Sequence, residues 1–237
     1  MPTRHRIPIA DGESVAAVHH EASAAAGWII FCHGFQSDKT GSYEGRCKRA
    51  VTEGYHGVRF DFRGCGEADG RFVDQTLSAK LADLQAVVEY FRPDRLVLFG
   101  SSFGGKVAFH AAADLDPIAI LARAPVTDNR TFDKRREQVE RNGEVMLASD
   151  KRIDKRFFAD LDRHPFAAAV EGVDCPVAIV HGADDASVAI ADSFEAAAAL
   201  ETDVLLEKVA GEGHRFSRAA ESLMRTRIFD YLETLES

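Results

Sequence analysis

Leu96-Val97-Leu98-Phe99-Gly100-Ser101-Ser102-Phe103-Gly104-Gly105-Lys106-Val107-Ala108-Phe109-His110 is the stretch on which the reading of this chain turns. Its first four residues form a short, wholly apolar run, the pattern of a strand buried on both faces. After the glycines, small and apolar residues read as a helix over 106–113. Between the two lies Gly100-x-Ser102-x-Gly104. Such spacing suits a serine on a sharp, strained turn, because only small neighbours let the backbone fold tightly enough to expose the hydroxyl. A bare G-x-S-x-G recurs by chance, and a glycine-rich turn could merely pack helix on strand. The preceding strand and following helix give the motif its weight. Ser101 is the neighbouring alternative, but the glycine spacing centres the turn on Ser102.

The same alternation extends in both directions. Residues 4–10 and 15–21, separated by Asp11-Gly12, read as an antiparallel hairpin. Strands are expected at 28–32, 58–61, 118–122, 177–180 and 204–209, and helices at 43–53, 189–200 and the C-terminus. Leu77, Leu81, Leu84, Val88 and Phe91 recur at spacings of four and three, which places them on one helical face ahead of Pro93. Strands alternating with helices imply a mostly parallel central sheet with helices on both faces. The whole chain, 1–237, reads as a single domain. One segment breaks the rhythm. Residues 126–165 are charge-dense, with Lys134-Arg135-Arg136, Lys151-Arg152 and Lys155-Arg156, and are too long for an ordinary connection. They are expected to form a helical cap insertion over the C-terminal edge of the sheet. A solvated excursion without a binding role is the alternative.

Composition narrows the functional classes. The 237 residues are 46% hydrophobic and 28% charged, with a formal net charge of −9. That balance argues against a nucleic-acid partner, since a phosphate backbone calls for a basic surface. No run approaches the roughly 20 apolar residues of a membrane span, so no membrane association is expected. The N-terminal residues lack the apolar centre of a secretory signal, which points to a cytoplasmic location. Cys32, Cys47, Cys65 and Cys175 are scattered without metal-type spacing, so free thiols are expected, and no cofactor or metal is implied.

A serine hydroxyl needs a base within hydrogen-bonding reach. His214 fits best: Gly211-Glu212-Gly213-His214 follows the last predicted strand, and loops at the C-terminal edge of a parallel sheet are where such groups gather. His110 lies inside a helix and His164 precedes a proline, so both read as structural or exposed. A carboxylate should hold the imidazole in its reactive tautomer. His181-Gly182-Ala183-Asp184-Asp185 follows a strand, and either aspartate could reach the site. For a developing oxyanion, the expected donors are the N–H of Phe103, next after the serine, and that of Phe35 in His33-Gly34-Phe35.

Taken with the FDFRGCGEADG stretch at 60–70, these motifs give the chain a whole-length resemblance to the α/β-hydrolases, and within them to the small cinnamoyl and feruloyl esterases. The chain order Ser102, Asp185, His214 is the order of that superfamily. The resemblance implies the α/β-hydrolase fold, selects Asp185 three residues before Val188, and implies that the insertion forms the acyl pocket. This sequence departs from the pattern at Cys65, Ala68 and Ala189, where histidine, serine and proline are frequent. The function implied is a serine carboxylesterase acting through an acyl-enzyme on small or aromatic acyl esters, as a monomer or homodimer. A thioesterase or acyltransferase on the same three residues is the alternative, and a non-catalytic binding protein on the same fold is a further one.

Overall fold

The apolar runs become the centre of an eight-stranded sheet in the computed structural model, which describes residues 1–148 and 151–235. In chain order the strands are β1 (Thr3–Pro8), β2 (Ser14–His20), β3 (Gly27–Cys32), β4 (Tyr55–Asp61), β5 (Leu96–Ser101), β6 (Ala119–Arg123), β7 (Glu144–Ala148), β8 (Lys151–Asp154), β9 (Val177–Gly182) and β10 (Val204–Val209). The main sheet runs β1-β2-β4-β3-β5-β6-β9-β10. β1 pairs antiparallel with β2, and β2 with β4; all later neighbours are parallel. Every residue of β5 and β9 is buried, whereas the edge strands β1 and β10 are largely exposed or half-buried. A strand covered on both faces has no need of polar alternation, which is why the central runs are uniformly apolar.

The helices are α1 (Ser42–Thr52), α2 (Leu77–Phe91), α3 (Phe103–His110), α4 (Ala112–Leu115), α5 (Asp133–Asn142), α6 (Lys155–Leu161), α7 (Phe166–Val170), α8 (Ile190–Ala199) and α9 (Arg218–Leu235). α1 and α9 cover one face, with Cys47, Met224 and Ile228 against Ile29, Val97 and Leu121. α2, α3 and the 126–165 segment cover the other. Local chemistry bounds α2: the Thr76 side chain accepts from the Ala79 N–H at 3.2 Å, and Arg92 ends the helix in the left-handed region before Pro93. The helix expected at 106–113 begins earlier, at Phe103, and breaks at Ala111 into α3 and α4.

The 126–165 segment departs from the all-helical expectation. A two-stranded hairpin, β7 with β8, lies between α5 and α6. Its reason is legible afterwards: Val145 and Leu147 alternate with exposed Glu144, Met146 and Ala148, a period of two that the surrounding charge masks. Ile153, Phe157, Phe158 and Leu161 are buried in the same core cluster as the sheet. The segment is therefore packed onto the body of the protein and is no solvated excursion.

Lys106, four residues beyond Ser102 on α3, is fully buried, and its Nζ has no hydrogen-bond partner among the described residues. Burial pushes its pKa down to about 8, with Asp128 pulling the other way. A base whose folded pKa is depressed costs stability while both states hold the proton, and that cost is relieved as pH rises from the folded towards the unfolded value. Lys106→Met is expected to raise unfolding stability at neutral pH by up to about 3 kcal/mol. The gain should shrink between pH 8 and about 10.4, as chemical denaturation at several pH values would measure.

Candidate active site

Ser102 stands between β5 and α3 at φ 55, ψ −120, a left-handed conformation that a residue with a side chain adopts only when its surroundings enforce it. Three backbone bonds do so. The Ser102 N–H donates to the Arg123 carbonyl at 2.9 Å, and the Ser102 carbonyl accepts from Gly105 at 2.9 Å and Val126 at 3.0 Å. The result lifts the hydroxyl above the C-terminal end of the sheet.

His214, in the loop between β10 and α9, comes to meet it. Its Nε2 lies 3.1 Å from Ser102 Oγ, and its Nδ1 lies 2.7 Å from Asp185 Oδ2. Asp185 sits in the loop after β9, shielded from solvent, and its Oδ1 accepts from the N–H groups of Ser187 at 2.8 Å and Val188 at 2.9 Å. Burial alone would raise its pKa. Bonds from His181 and His214, and from the Val188 and Ser187 amides, outweigh burial and hold the carboxyl well below the usual carboxylate range. The exposed Asp184 instead donates its backbone N–H to the Glu212 carbonyl. The structure thus brings together Ser102, Asp185 and His214 and leaves Asp184 outside. His110 and His164 face each other, rings 5.5 Å apart, and neither lines the cleft around Ser102.

The His33-Gly34-Phe35 loop runs against the serine. A Cβ on Gly34 would lie 3.4 Å from Ser102 Cβ and 3.9 Å from its Oγ. Phe35 and Phe103 both flank that point, and neither backbone N–H is engaged by another described residue. Two histidines that the motifs contained, but whose roles the sequence did not disclose, hold these loops. Buried His33 donates from Nδ1 to the Gly34 carbonyl at 2.8 Å and accepts at Nε2 from the Phe62 N–H at 3.1 Å. Burial, with Lys80 nearby, pushes its pKa to about 3, so the ring stays neutral. His181 approaches Asp185 Oδ2 at 3.3 Å and bonds Ser193 through its other nitrogen at 2.7 Å. Buried Asp61 ties the neighbouring loops together: it takes the Lys39 ammonium at 2.5 Å, the Lys39 N–H at 2.7 Å and the Glu67 N–H at 2.8 Å.

Ser102 and His214 open into a cleft of about 990 Å³. Val126, Phe132 and Val188 contribute apolar lining, and Tyr43, Arg46 and Arg123 contribute polar lining. Neither arginine was marked by any motif, because α1 and the end of β6 meet only through the sheet. Away from the cleft, Asp128, Asp192 and Glu195 bring oxygens within 4.8 Å of one another, but Arg130 already pairs with Asp128 and Glu195. The four cysteines are free, and burial raises the pKa of Cys47 to about 12 and of Cys175 to about 11, which leaves them weak ligands and nucleophiles.

A family model described as the alpha/beta hydrolase family matches residues 29–222, from β3 into α9. The chain belongs to the alpha/beta hydrolase family. Among curated relatives, the mouse mitochondrial palmitoyl-protein thioesterase ABHD10 is 28% identical over 231 residues, covering 88% of this chain and 76% of that protein. The quorum-quenching protein AidA of Acinetobacter baumannii is 32% identical over 110 residues, covering 42% of this chain and 36% of that protein. Among solved structures, mouse alpha/beta hydrolase domain-containing protein 10 superposes with a TM-score of 0.87 at 23% identity, covering 98% of this chain and 99% of that one. Ferulic-acid-bound Est1E from Butyrivibrio proteoclasticus gives 0.87 at 20% identity, covering 98% and 100%. Among the described residues no helix is long and apolar enough to cross a membrane. The cytoplasmic location expected from the N-terminal sequence gains no support from relatives whose name includes "mitochondrial".

Asp185→Asn should reverse the hydrogen bond that sets the His214 tautomer and lower kcat on the order of 10³–10⁴-fold. Asp184→Asn should stay within about threefold of the parent, as expected for an exposed side chain away from the site. Steady-state ester hydrolysis by the two variants checks the pair; equal losses would remove Asp185 from its role.

Proposed function

We propose that this protein is a serine hydrolase that splits carboxylic esters through an acyl-enzyme, with Ser102 as nucleophile, His214 as general base and acid, and Asp185 as the group that orients and stabilises the imidazole. The observation that carries this reading is the continuous hydrogen-bond chain from Ser102 Oγ through His214 to Asp185, ending in an open cleft. His214 Nε2 takes the serine proton as Oγ attacks the acyl carbon, and the Asp185 carboxylate stabilises the imidazolium that results. The tetrahedral oxyanion would be held by the N–H groups of Phe35 and Phe103. His214 then returns the proton to the leaving oxygen. Water, activated by the same imidazole, releases the acid and regenerates Ser102.

The surroundings of Ser102 favour short or compact acyl groups. The Phe35 ring is the hub of an aromatic cluster, with Phe72, Phe103, Phe132 and Phe157 at centroid distances of 5.5, 5.5, 5.3 and 5.1 Å. These rings pack between the His33-Gly34-Phe35 loop and the 126–165 segment, next to Ser102, and leave little room there for a long chain. Their packing also keeps the Phe35 N–H fixed, which is what preorganised stabilisation of an oxyanion requires.

A second reading, a thioesterase on the same three residues, draws specific support from the similarity to the mouse protein named a palmitoyl-protein thioesterase. The acyl-enzyme chemistry is identical, and only the leaving group differs. The two are separated by turnover of matched oxygen and thiol esters of one acyl group.

Purified protein should hydrolyse p-nitrophenyl acetate and butyrate in preference to the palmitate. Ser102→Ala should lower kcat by on the order of 10⁴–10⁶-fold and abolish fluorophosphonate labelling. Activity near the parent level in Ser102→Ala would remove the serine from the mechanism. Preference for the palmitate would show that the aromatic cluster opens to admit a long chain.

A further inference from the structure

The cleft beside Ser102 carries more positive charge than its own acids can neutralise. Arg46, Arg123, Arg135, Arg215 and Arg218 line it, against Asp38 and Glu221. In a chain whose formal net charge is −9, this is a local reversal of sign. Moreover, the acids are already committed. Asp38 accepts from the N–H and hydroxyl of Thr40. Glu221 takes the Arg46 guanidinium through Nε at 2.7 Å and Nη2 at 2.8 Å, a two-pronged pair that uses both oxygens.

Arg123 is the residue left over. It ends β6, directly across from Ser101 in the β5–β6 register. Its Nη1 donates to the His214 carbonyl, its Nε reaches Ser101 Oγ at 3.4 Å, and its guanidinium lies 5.3 Å from the Phe216 ring centroid. No carboxylate pairs with it among the described residues. Ser101 Oγ also accepts from Arg46 Nη1 at 2.9 Å, so one hydroxyl joins two guanidinium groups on one wall of the cleft. Burial, followed by the nearby Arg46 charge, holds Arg123 below the usual arginine pKa, with Tyr43, Glu221 and Asp185 pulling the other way. A half-buried cation without a paired carboxylate is costly, and one that lines a cleft is a candidate for binding an anion.

The basic pairs of the 126–165 segment do not account for this charge. Arg136 is paired with Asp162, Arg152 with Glu144, and Arg156 with Asp154 and Asp74. Of that group only Arg135 lines the cleft.

We propose that Arg123 forms an anion-binding subsite, and that the substrate processed at Ser102 carries a carboxylate or phosphate group beside its scissile acyl bond. The word substrate rests on the hydrolase reading; the subsite itself does not. The anion could belong to the acyl part or to the leaving group, and both present the same chemistry to a planar guanidinium.

Two matched pairs test it: 4-acetoxybenzoate against its methyl ester, with the charge on the leaving group, and mono-p-nitrophenyl glutarate against its methyl ester, with the charge on the acyl group. At least one free acid should exceed its methyl ester in kcat/KM by about tenfold, as a charge-assisted contact implies. That ratio should collapse towards unity in Arg123→Gln, persist in part in Arg123→Lys, and fall with rising salt in the parent. The pair that shows it identifies which part of the substrate is anionic. Faster turnover of both methyl esters, a salt-independent ratio, or a ratio that survives Arg123→Gln would overturn the proposal. Calorimetric titration with inorganic phosphate reads the subsite without turnover. Binding in the parent that Arg123→Gln loses is the expected result, and no binding in the parent would count against the subsite. Phosphate binding in a protein whose Ser102 neither labels nor turns over any ester would instead sink the hydrolase reading and leave the subsite standing.

Discussion

Ser102 can stand above the sheet only because the backbone passes through a left-handed residue between β5 and α3, and that conformation survives only under very close packing. A Cβ on Gly100 would come within 2.4 Å of the Gly104 carbonyl oxygen, and one on Gly104 within 2.2 Å of the Cys32 carbonyl oxygen. Helix α3 therefore lies almost in contact with the end of β3, and the loop that follows β3 is drawn against the serine. The strain at one residue is held by backbone bonds from the end of β6 and the loop that follows it, through Arg123 and Val126. Everything else at the site is arranged around the point where this turn delivers its hydroxyl.

The supporting layer uses buried polar groups, each with partners to match. His33, His181 and Asp61 lie in the core: His33 and Asp61 join loops that the sheet alone would leave independent, and His181 joins the loop of Asp185 to α8 through Ser193. A neutral histidine can donate from one nitrogen and accept at the other, so His33 fixes the loop before Phe35 to the end of β4 without bringing a charge into the interior. The Asp185 carboxylate is kept ionised against burial by the number of donors it receives. Preorganisation of this sort lets a site act without rearranging when charge develops on the substrate.

The lining of the cleft is mixed in chemistry. The 126–165 segment contributes Phe132 and Phe157 to a ring cluster around Phe35, dry and closely packed. In contrast, α1, β6 and the start of α9 bring guanidinium groups to the rim. A surplus of cations within an acidic protein focuses its field on the cleft, which would raise the local concentration of anions there.

Much of this protein was legible in its sequence because the deciding signals are local. The apolar runs, the glycine spacing around Ser102 and the glycine-rich loop bearing His214 each report on a few consecutive residues. A mostly parallel sheet with the serine turn and the histidine loop at its C-terminal edge follows from them. The hairpin of β7 and β8 escaped because a period of two over five residues is short, and charged neighbours conceal it. Asp185 was separable from Asp184 by resemblance alone, since adjacent residues in a loop carry no periodicity; the structure separates them by the Ser187 and Val188 amides that converge on one carboxylate. The arginines were beyond reach for a different reason. Arg46 and Arg123 are 77 positions apart in the chain, and each alone is an ordinary charged residue. The sequence by itself determined the fold class and the candidate site residues, because backbone conformation and strand burial are written in neighbouring residues. Only the tertiary structure decided the charge of the cleft, because an electrostatic field is the sum over side chains that the sheet brings together from distant parts of the chain.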